Sequence, residues 1–377
     1  MTAATTALDQ GEADYGVIRP EGGRVAGRLA SREVDICAGP GGTAMGNRIL
    51  GRAPMIGVEK DGDACATGRA AGFDRRRHDM RLLAPARHRG VRGAVLTPPC
   101  PTFNASGKGS GRRDMQKLLD AITCLGAGCG CDWLTLPHYV EDFRSALVVE
   151  TARWLLTAPD LQWLVAEEAW QVAPLWEDIA AEAYAAGWQW VDVLEMDAAD
   201  YGLPVRRRRS FLVARRYAPP RVSQHDAGWK GRDLSRYTMA GVLGLNPGTR
   251  VWTRNNRRPT GGNAFSADGP SWSLTGSSRS WKIGAVDGPE LTAAQAGYLQ
   301  GFPGFYPWQG SRTAQFRQLS DVVHPVMAAI ALGIATDTPW VDPVRDYLHA
   351  LYGPGIDPAP ALVPAQRRTA YEQLSLV

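Results

Sequence analysis

The stretch VDICAGPGG, residues 34–42, decides the fold more than any other part of the chain. Its first four residues are predicted to form a short strand, and the glycines follow where the chain turns into a predicted helix. Three of these residues let the backbone approach a ligand closely: Gly39, Gly41 and Gly42. Glu59 ends the next predicted strand, and a doubly wound sheet places an acid about 20 residues after such a turn against ribose hydroxyls. The stretch therefore predicts a nucleoside-binding turn in an α/β sheet.

The spacing of the glycines indicates which kind of nucleoside ligand is expected. The pattern is GxGG rather than GxGxxG, which disfavours a dinucleotide and favours a smaller nucleoside cofactor without a pyrophosphate. Asp79 lies near the end of the predicted third strand, where its carboxylate would accept from the exocyclic amine of adenine. A tight structural turn that binds nothing is the alternative explanation of the glycines.

Short apolar runs alternate with helical stretches from about residue 32 to 215. The predicted strands are 34–37, 54–58, 94–96, 163–166, 190–194 and 211–214, and two of the predicted helices are 141–156 and 174–186. This alternation predicts a parallel, doubly wound α/β sheet. After residue 216 the chain is rich in Gly, Pro, Asn, Arg and Trp and has little helical periodicity, which predicts a smaller, irregular, β-rich region at 217–285. Helical patterns return after residue 286.

Composition and charge describe an ordinary globular chain. It has 377 residues, 44% hydrophobic and 21% charged, and its net charge of +4 is compatible with a nucleic-acid partner without establishing one. No apolar run looks long enough to span a bilayer and the polar start is no signal peptide, so we expect a cytoplasmic protein. Its six cysteines are then expected to be reduced thiols. The group of Cys124, Cys129 and Cys131 lacks CxxC spacing, so no metal site is expected.

Cys100 stands in the segment LTPPCPTFNASGKG, residues 96–109. The two prolines before it fix φ and push the preceding residues out of the helical region, so the cysteine follows a strand on a stiff, extended loop. Cysteine is usually buried. This position therefore indicates a thiol presented for chemistry.

Together these motifs resemble one family, the DNA (cytosine-5) methyltransferases, which use S-adenosylmethionine. The likeness covers nearly the whole chain in the family's order. The cofactor motifs are DICAGPGG (35–42), GVEKD (57–61) and RHDM (77–80), and the nucleophile loop is TPPCPTFNASGKG (97–109). The glutamate strand is AEEA (166–169), the arginine motif ADYGLPVRRRRSF (199–211), and the closing motifs are LQGFP (299–303) and RQLSDVVHP (317–325).

The resemblance implies a Rossmann-like doubly wound methyltransferase sheet and a division of the chain. The catalytic domain would comprise 30–216 and 286–350, the target-recognition region 217–285, and the terminal extensions 1–29 and 351–377. The implied cofactor-binding residues are Cys37, Ala38, Gly39, Gly41, Gly42, Glu59, Lys60, Asp79, Pro99 and Asp321.

The implied chemistry begins with attack of Cys100 on C6 of a cytosine, because C5 is a poor nucleophile until C6 is saturated. Glu167 would hydrogen-bond or protonate N3. Glu168, its neighbour, stays open as an alternative. Arg207 would lie near the cytosine O2, and Arg209 would support the glutamate or the nucleophile loop. The remaining arginines of that run are interpreted as solvated or phosphate-binding.

Cys100 cannot reach a base inside a duplex, so the resemblance implies that the target cytosine is flipped out of the stack. Implied DNA contacts are Lys108, Arg112 and Arg113 after the nucleophile, and Arg254, Asn255, Arg257 and Arg279 in the recognition region. The partner would be double-stranded DNA, and the enzyme a nucleoid-associated monomer paired with a restriction endonuclease or carried by a mobile element.

The chain departs from the family pattern at several positions. Cys37 replaces Phe, Pro101 replaces Gln, Asn104 replaces Ser, Val205 replaces Gln, Ser320 replaces Gly and Asp321 replaces Asn. These changes bear on the cofactor contacts and on the rate, and an acid at 321 is compatible with an altered donor, although a local rearrangement is simpler. Two other functions stay open: methylation of a tRNA cytosine, and nucleic-acid binding without turnover.

Overall fold

The computed structural model describes residues 32–99, 102–103, 109–128, 135–226, 237–253 and 264–353. Within these residues the strands form one sheet of seven and one of three. The strands of the large sheet are β1 Arg32–Ile36, β2 Ile56–Glu59, β3 Arg75–Arg77, β4 Val91–Leu96, β5 Trp163–Ala169, β6 Trp190–Asp197 and β7 Arg208–Arg215. Their order is β3-β2-β1-β4-β5-β7-β6.

The large sheet is mixed rather than parallel. Strands β1 to β5 run parallel to their neighbours, but β7 is antiparallel to both β5 and β6. The prediction of an all-parallel sheet is therefore wrong at this edge. The physical reason is the short connection from β6, a 3-10 turn at Ala198–Tyr201 that ends at the left-handed Gly202, since parallel neighbours require a long crossover.

Helices cover both faces of this sheet. They are α1 Gly42–Ile49, α2 Gly62–Ala70, α3 Ser110–Arg113, α4 Met115–Gly126, α5 Val149–Thr157, α6 Ala173–Ala185, α7 Met239–Leu243, α8 Ala293–Leu299, α9 Arg312–Asp321, α10 Pro325–Thr336 and α11 Val341–Tyr352. Helices α4, α5 and α6 pack together on one face, and α1 packs against α10 on the other. The predicted helix 141–156 is divided, because Phe143–Val148 is a 3-10 helix and α5 begins only at Val149.

Strand β5 is an interior strand of the large sheet, between β4 and β7. All seven of its residues are buried, as expected for a strand that is covered by helices on both faces. Two of the seven are glutamates, Glu167 and Glu168. Buried carboxylates need partners or a raised pKa, so this strand end is where function is expected.

The small sheet confirms that the region after residue 216 contains β-structure. Its strands are β8 Arg250–Trp252, β9 Ala264–Ser266 and β10 Lys282–Ile283, antiparallel in the order β10-β8-β9. Val251, Phe265 and Trp281 belong to the same apolar core as Val213 of the large sheet and Ile330 of α10. The region has its own sheet but shares its core with the rest of the chain.

One segment differs from the expectation that no part is apolar enough to span a membrane. Within the described residues, Arg312–Thr336 passes by length and composition. However, 83% of its most apolar window is buried inside the fold, and it consists of α9 and α10 separated by a break at 322–324. A buried core helix passes the same test, and α10 lies against α1, β5 and β7.

The cysteines also differ from expectation. Cys37 and Cys65 are free thiols, but Cys124 is disulfide-bonded. The expectation that all six are reduced is therefore wrong for Cys124. Cys129 and Cys131 lie outside the described residues.

Candidate active site

A cavity of about 390 Å³ opens at the carboxyl ends of β1, β2, β4 and β5. This is the edge at which open α/β sheets bind ligands, and the volume is that of a small-molecule site. Nine of the ten predicted cofactor residues line it: Cys37, Ala38, Gly39, Gly42, Glu59, Lys60, Asp79, Pro99 and Asp321. Gly41 does not line it. The structure therefore brings together residues that are up to 284 positions apart in the chain.

The glycine turn is shaped by contacts within the chain as much as by the cavity. Gly41 has φ 123°, and a Cβ there would lie 2.6 Å from the Tyr306 hydroxyl. A Cβ on Gly42 would lie 1.9 Å from the carbonyl oxygen of Val323. The sequence explained both glycines by close approach to a ligand. The structure adds that they let α1 begin directly against the segment before α10.

Two acids line one end of the cavity. The Glu59 carboxylate accepts the backbone N–H groups of Gly39 at 2.8 Å and Asp61 at 2.7 Å, and burial raises its pKa. Asp79 accepts from Lys60 Nζ at 2.7 Å and from Arg81 Nη2 at 2.8 Å. Although burial opposes the effect, these bonds hold the pKa of Asp79 well below its usual range.

Apolar side chains lie between these acids. Val58 and Met80 line the same end of the cavity, which therefore combines an apolar wall with fixed carboxylates. An apolar wall with a few placed polar groups is typical of sites that bind a nucleoside. Cys37, which has φ 59°, contributes its thiol here, 3.1 Å from the Met80 sulfur.

The two adjacent glutamates of β5 lie on opposite faces of the sheet. Glu167 is opposite Phe211 of β7 and lines the cavity, whereas Glu168 is opposite Ser210 and does not line it. Successive residues of a strand alternate in this way. Glu168 accepts the N–H of Ala169 at 2.8 Å, and burial raises its pKa well above the ordinary value.

The cavity-lining glutamate is ion-paired. Arg209 Nε lies 3.0 Å from Glu167 Oε1, and both side chains are about 7% exposed. Burial raises the pKa of Glu167, and the positive charges of Arg209 and Arg207 oppose the rise. A carboxyl in this position is suited to hold a proton or to share one with a ligand.

The four consecutive arginines, residues 206–209, alternate between exposed and buried positions, as successive residues of an extended chain do. Arg207 is buried and donates through Nη1 to the backbone oxygen of Ser320 at 2.6 Å, which ties β7 to the end of α9. Arg206 and Arg208 are exposed. Arg208 pairs with Glu195 and lies over the Trp170 ring at 4.8 Å. The exposed pair therefore has the solvated positions that the sequence predicts.

Asp321 is the last residue of α9 and is exposed to the cavity. Ser320 Oγ donates to its Oδ1 at 2.7 Å. Burial raises the pKa of Asp321, and this hydrogen bond and the charges of Arg207 and Arg317 oppose the rise.

Several residues that line the cavity were not predicted from the sequence. Gln318 lies inside a recognised closing motif, so that motif could have identified it. Phe143 and Arg144 also line the cavity. They belong to a 3-10 helix far from any motif, and no signal in the sequence indicates them.

Several of the remaining predicted residues have no described position. Cys100, Lys108, Arg254, Asn255 and Arg257 are outside the described residues, as are the departures Pro101 and Asn104. On either side of Cys100 in the sequence, Pro99 lines the cavity and Phe103 is fully buried.

Three predicted DNA contacts are on the surface. Arg112 is exposed. Arg113 forms a surface ion pair with Glu141 at 2.6 Å. Arg279 is exposed and donates to the Gly276 carbonyl at 2.6 Å.

Comparison with known proteins gives a consistent result. No known protein-family profile matches the chain. It is similar to the Type II methyltransferase M.NaeI of Lentzea aerocolonigenes, with 26% identity over 325 residues, 78% of this chain and 72% of that protein. It is also similar to the Type II methyltransferase M.NgoMIV of Neisseria gonorrhoeae, with 24% identity over 78% of this chain and 94% of that protein.

Solved structures show the same fold. The S. pombe Dnmt2 methyltransferase superimposes with a TM-score of 0.58 at 13% identity, over 81% of this chain and 98% of that one. The Entamoeba histolytica methyltransferase EhMeth gives 0.51 at 12% identity, over 82% and 99%. The large sheet and its helices therefore form a methyltransferase fold.

Proposed function

We propose that this chain, which belongs to the DNA (cytosine-5) methyltransferase family, methylates C5 of a flipped-out cytosine in double-stranded DNA through a covalent Cys100 adduct at C6. One observation carries the proposal. The ion-paired Glu167 lies in the same cavity as the glycine turn, Glu59 and Pro99, the residue that directly precedes Cys100. The groups needed for binding a nucleoside and for activating a pyrimidine thus line one space.

The lining residues fit S-adenosylmethionine, the cofactor of this family. Glu59 keeps acceptor capacity beyond its two backbone contacts and would accept ribose hydroxyls. Val58 and Met80 would cover the adenine, and Asp79 would accept from its amine. When bound, the cofactor supplies a methyl group that its positive sulfonium makes electrophilic.

Glu167 and the arginines would activate the base. Attack of the Cys100 thiolate at C6 builds negative charge on the ring, and a protonated Glu167 at N3 relieves it. Arg209 orients that carboxyl through the 3.0 Å ion pair. Arg207 is buried beside it, suited to the cytosine O2.

We further propose that 217–285 reads the DNA sequence and that 30–216 with 286–350 forms the catalytic domain. No described residue of 217–285 lines the cavity, so the small sheet is available for contacts other than those with the cofactor. Arg112 and Arg113 have exposed positions suited to phosphates. A cytoplasmic monomer that works beside a restriction endonuclease is part of the same proposal.

The test is transfer of labelled methyl from S-adenosylmethionine to duplex DNA by the wild type and by Cys100→Ala, with tRNA as a parallel substrate. We expect label on DNA cytosine with the wild type and none with the variant. Label on tRNA alone would favour the RNA alternative. Cofactor binding without label on either nucleic acid would favour a binding-only relative.

A further inference from the structure

The cavity has two chemically different ends. In the sheet order β3-β2-β1-β4-β5, Val58 and Glu59 lie in β2 and Met80 follows β3, and these residues form the end that suits a nucleoside. Pro99 follows β4 and Glu167 lies in β5, so they form the other end, where Asp321 acts electrostatically on Glu167. Because Pro99 directly precedes the nucleophile, the second end is where the sulfur of the cofactor and its methyl group have to lie, if the proposed function holds.

Asp321 presents a carboxylate to that second end. Its side chain is exposed to the cavity, and Ser320 Oγ donates to it at 2.7 Å. Among the residues that the structure describes, Asp321 forms no ion pair. The family pattern has Asn at this position, and an amide has the same size but no charge.

The basic side chains around Asp321 are already bound to other groups. Arg209 pairs with Glu167 at 3.0 Å, Arg317 pairs with Asp61, and Arg144 pairs with Asp142 at 2.6 Å. Arg207 donates to the backbone oxygen of Ser320. These arginines act on Asp321 only through longer-range attraction. Its carboxylate therefore remains available to a cation that enters the cavity, and the walls of a protein cleft strengthen such an interaction relative to water.

We propose that Asp321 makes the site selective for the charge of the cofactor. Its carboxylate favours a cation at the sulfur position, so the sulfonium of S-adenosylmethionine binds in preference to the neutral thioether of S-adenosylhomocysteine, the product of transfer. This inference rests on the proposed function. The presence of Asp rather than Asn at position 321 would then weaken binding of S-adenosylhomocysteine relative to S-adenosylmethionine.

Isothermal titration calorimetry on the full chain tests this with three ligands. Two of them carry a positive charge at the sulfur position: S-adenosylmethionine, and sinefungin, which has a protonated amine in place of the methylated sulfur. The third is S-adenosylhomocysteine. In Asp321→Asn we expect the dissociation constants of both cationic ligands to rise on the order of tenfold, while that of S-adenosylhomocysteine changes by less than about twofold. Asp321→Glu should retain the preference.

Asp79→Asn is the matched control, because it removes the same charge at the other end of the same cavity. All three ligands share adenosine, so this variant should weaken them alike. Equal changes for all three in Asp321→Asn would overturn the inference and leave the proposed function standing. A wild type that binds none of the three would overturn both.

Discussion

At the scale of single residues, two neighbouring glutamates show how position decides chemistry. Glu167 and Glu168 are both buried in β5, yet Glu167 lines the cavity beside Arg209 and Glu168 lies on the opposite face. We expect Glu167→Gln to lower the rate of methyl transfer by about 10²- to 10⁴-fold, because it removes the proton held at N3. Glu168→Gln should change it by less than about tenfold, because Glu168 lies on the opposite face of the sheet and does not line the cavity.

Single-turnover assays with labelled cofactor measure both rates. Circular dichroism spectra of the two variants control for folding. Equal losses in the two variants would contradict the assignment of the catalytic role to Glu167.

A second prediction at this scale concerns pH. Burial raises the pKa of Asp35 from 3.8 to about 7, although the charge of Arg75 opposes it. The folded chain therefore binds a proton that the unfolded chain has released between about pH 4 and about pH 7, so stability falls as pH rises through this window. Asp35→Asn removes this dependence.

Urea unfolding of the wild type and Asp35→Asn at about pH 5 and about pH 8 measures the effect. While the folded chain holds one proton more than the unfolded chain, each rise of one in pH removes about 1.4 kcal/mol of unfolding free energy. We therefore expect the wild type to lose about 2–3 kcal/mol relative to the variant across this range. If the unfolding free energies of the wild type and Asp35→Asn changed equally with pH, the raised pKa of Asp35 would be contradicted.

At the scale of elements, the sequence predicted the strands that have apolar runs but not their directions. The runs at 163–166 and 211–214 lie within β5 and β7. The direction of β7 depends on the short turn at Ala198–Tyr201 that follows β6, and nothing in the sequence of this turn distinguishes a hairpin from a crossover. Prediction of the site is limited in a similar way. Residues in recognised motifs could be assigned to the cavity from the sequence, but Phe143 and Arg144 reach it only through tertiary packing.

The start of α1 gives the prediction at this scale. Gly42→Ala would place a Cβ 1.9 Å from the Val323 carbonyl oxygen and 2.9 Å from Val322 Cγ2. Because the nearest obstacle is backbone, α1 and the segment before α10 have to separate. We expect a loss of about 1–3 kcal/mol of unfolding free energy, measured by urea denaturation.

Gly269→Ala is the matched control, because nothing lies within 4 Å of a Cβ at that position. It should change stability by less than about 0.5 kcal/mol. Equal effects of the two substitutions would show that loss of glycine itself, rather than contact between α1 and the segment before α10, sets the stability.

At the scale of the whole molecule, a division into two regions could be predicted from composition, but the sharing of one core could not. The sequence of 217–285 looks irregular because its apolar residues are far apart. In the structure, Val251, Phe265 and Trp281 of this region belong to the same core cluster as Val213 of the large sheet and Ile330 of α10. Hydrophobic periodicity indicates which face of a single helix or strand is buried. It does not indicate which distant parts of the chain share a core.

This shared core leads to the last prediction. Since Val251, Phe265 and Trp281 pack in the same core as the large sheet, the region 217–285 should not unfold separately, and calorimetry should show one transition for the whole chain. Phe265→Ala should lower the temperature of that transition, with a loss of about 3–5 kcal/mol. Tyr217→Ala, in the same region but 64% exposed, should leave it unchanged.

The number of transitions in the Phe265→Ala protein decides between two kinds of molecule. A second, lower transition, with the main one still at its wild-type temperature, would show that the small sheet is an independent unit. In that case the region 217–285 and the large sheet would be joined only by the connecting chain. A single shifted transition would instead mean that this region unfolds together with β5 and β7, where Glu167 and Arg209 lie.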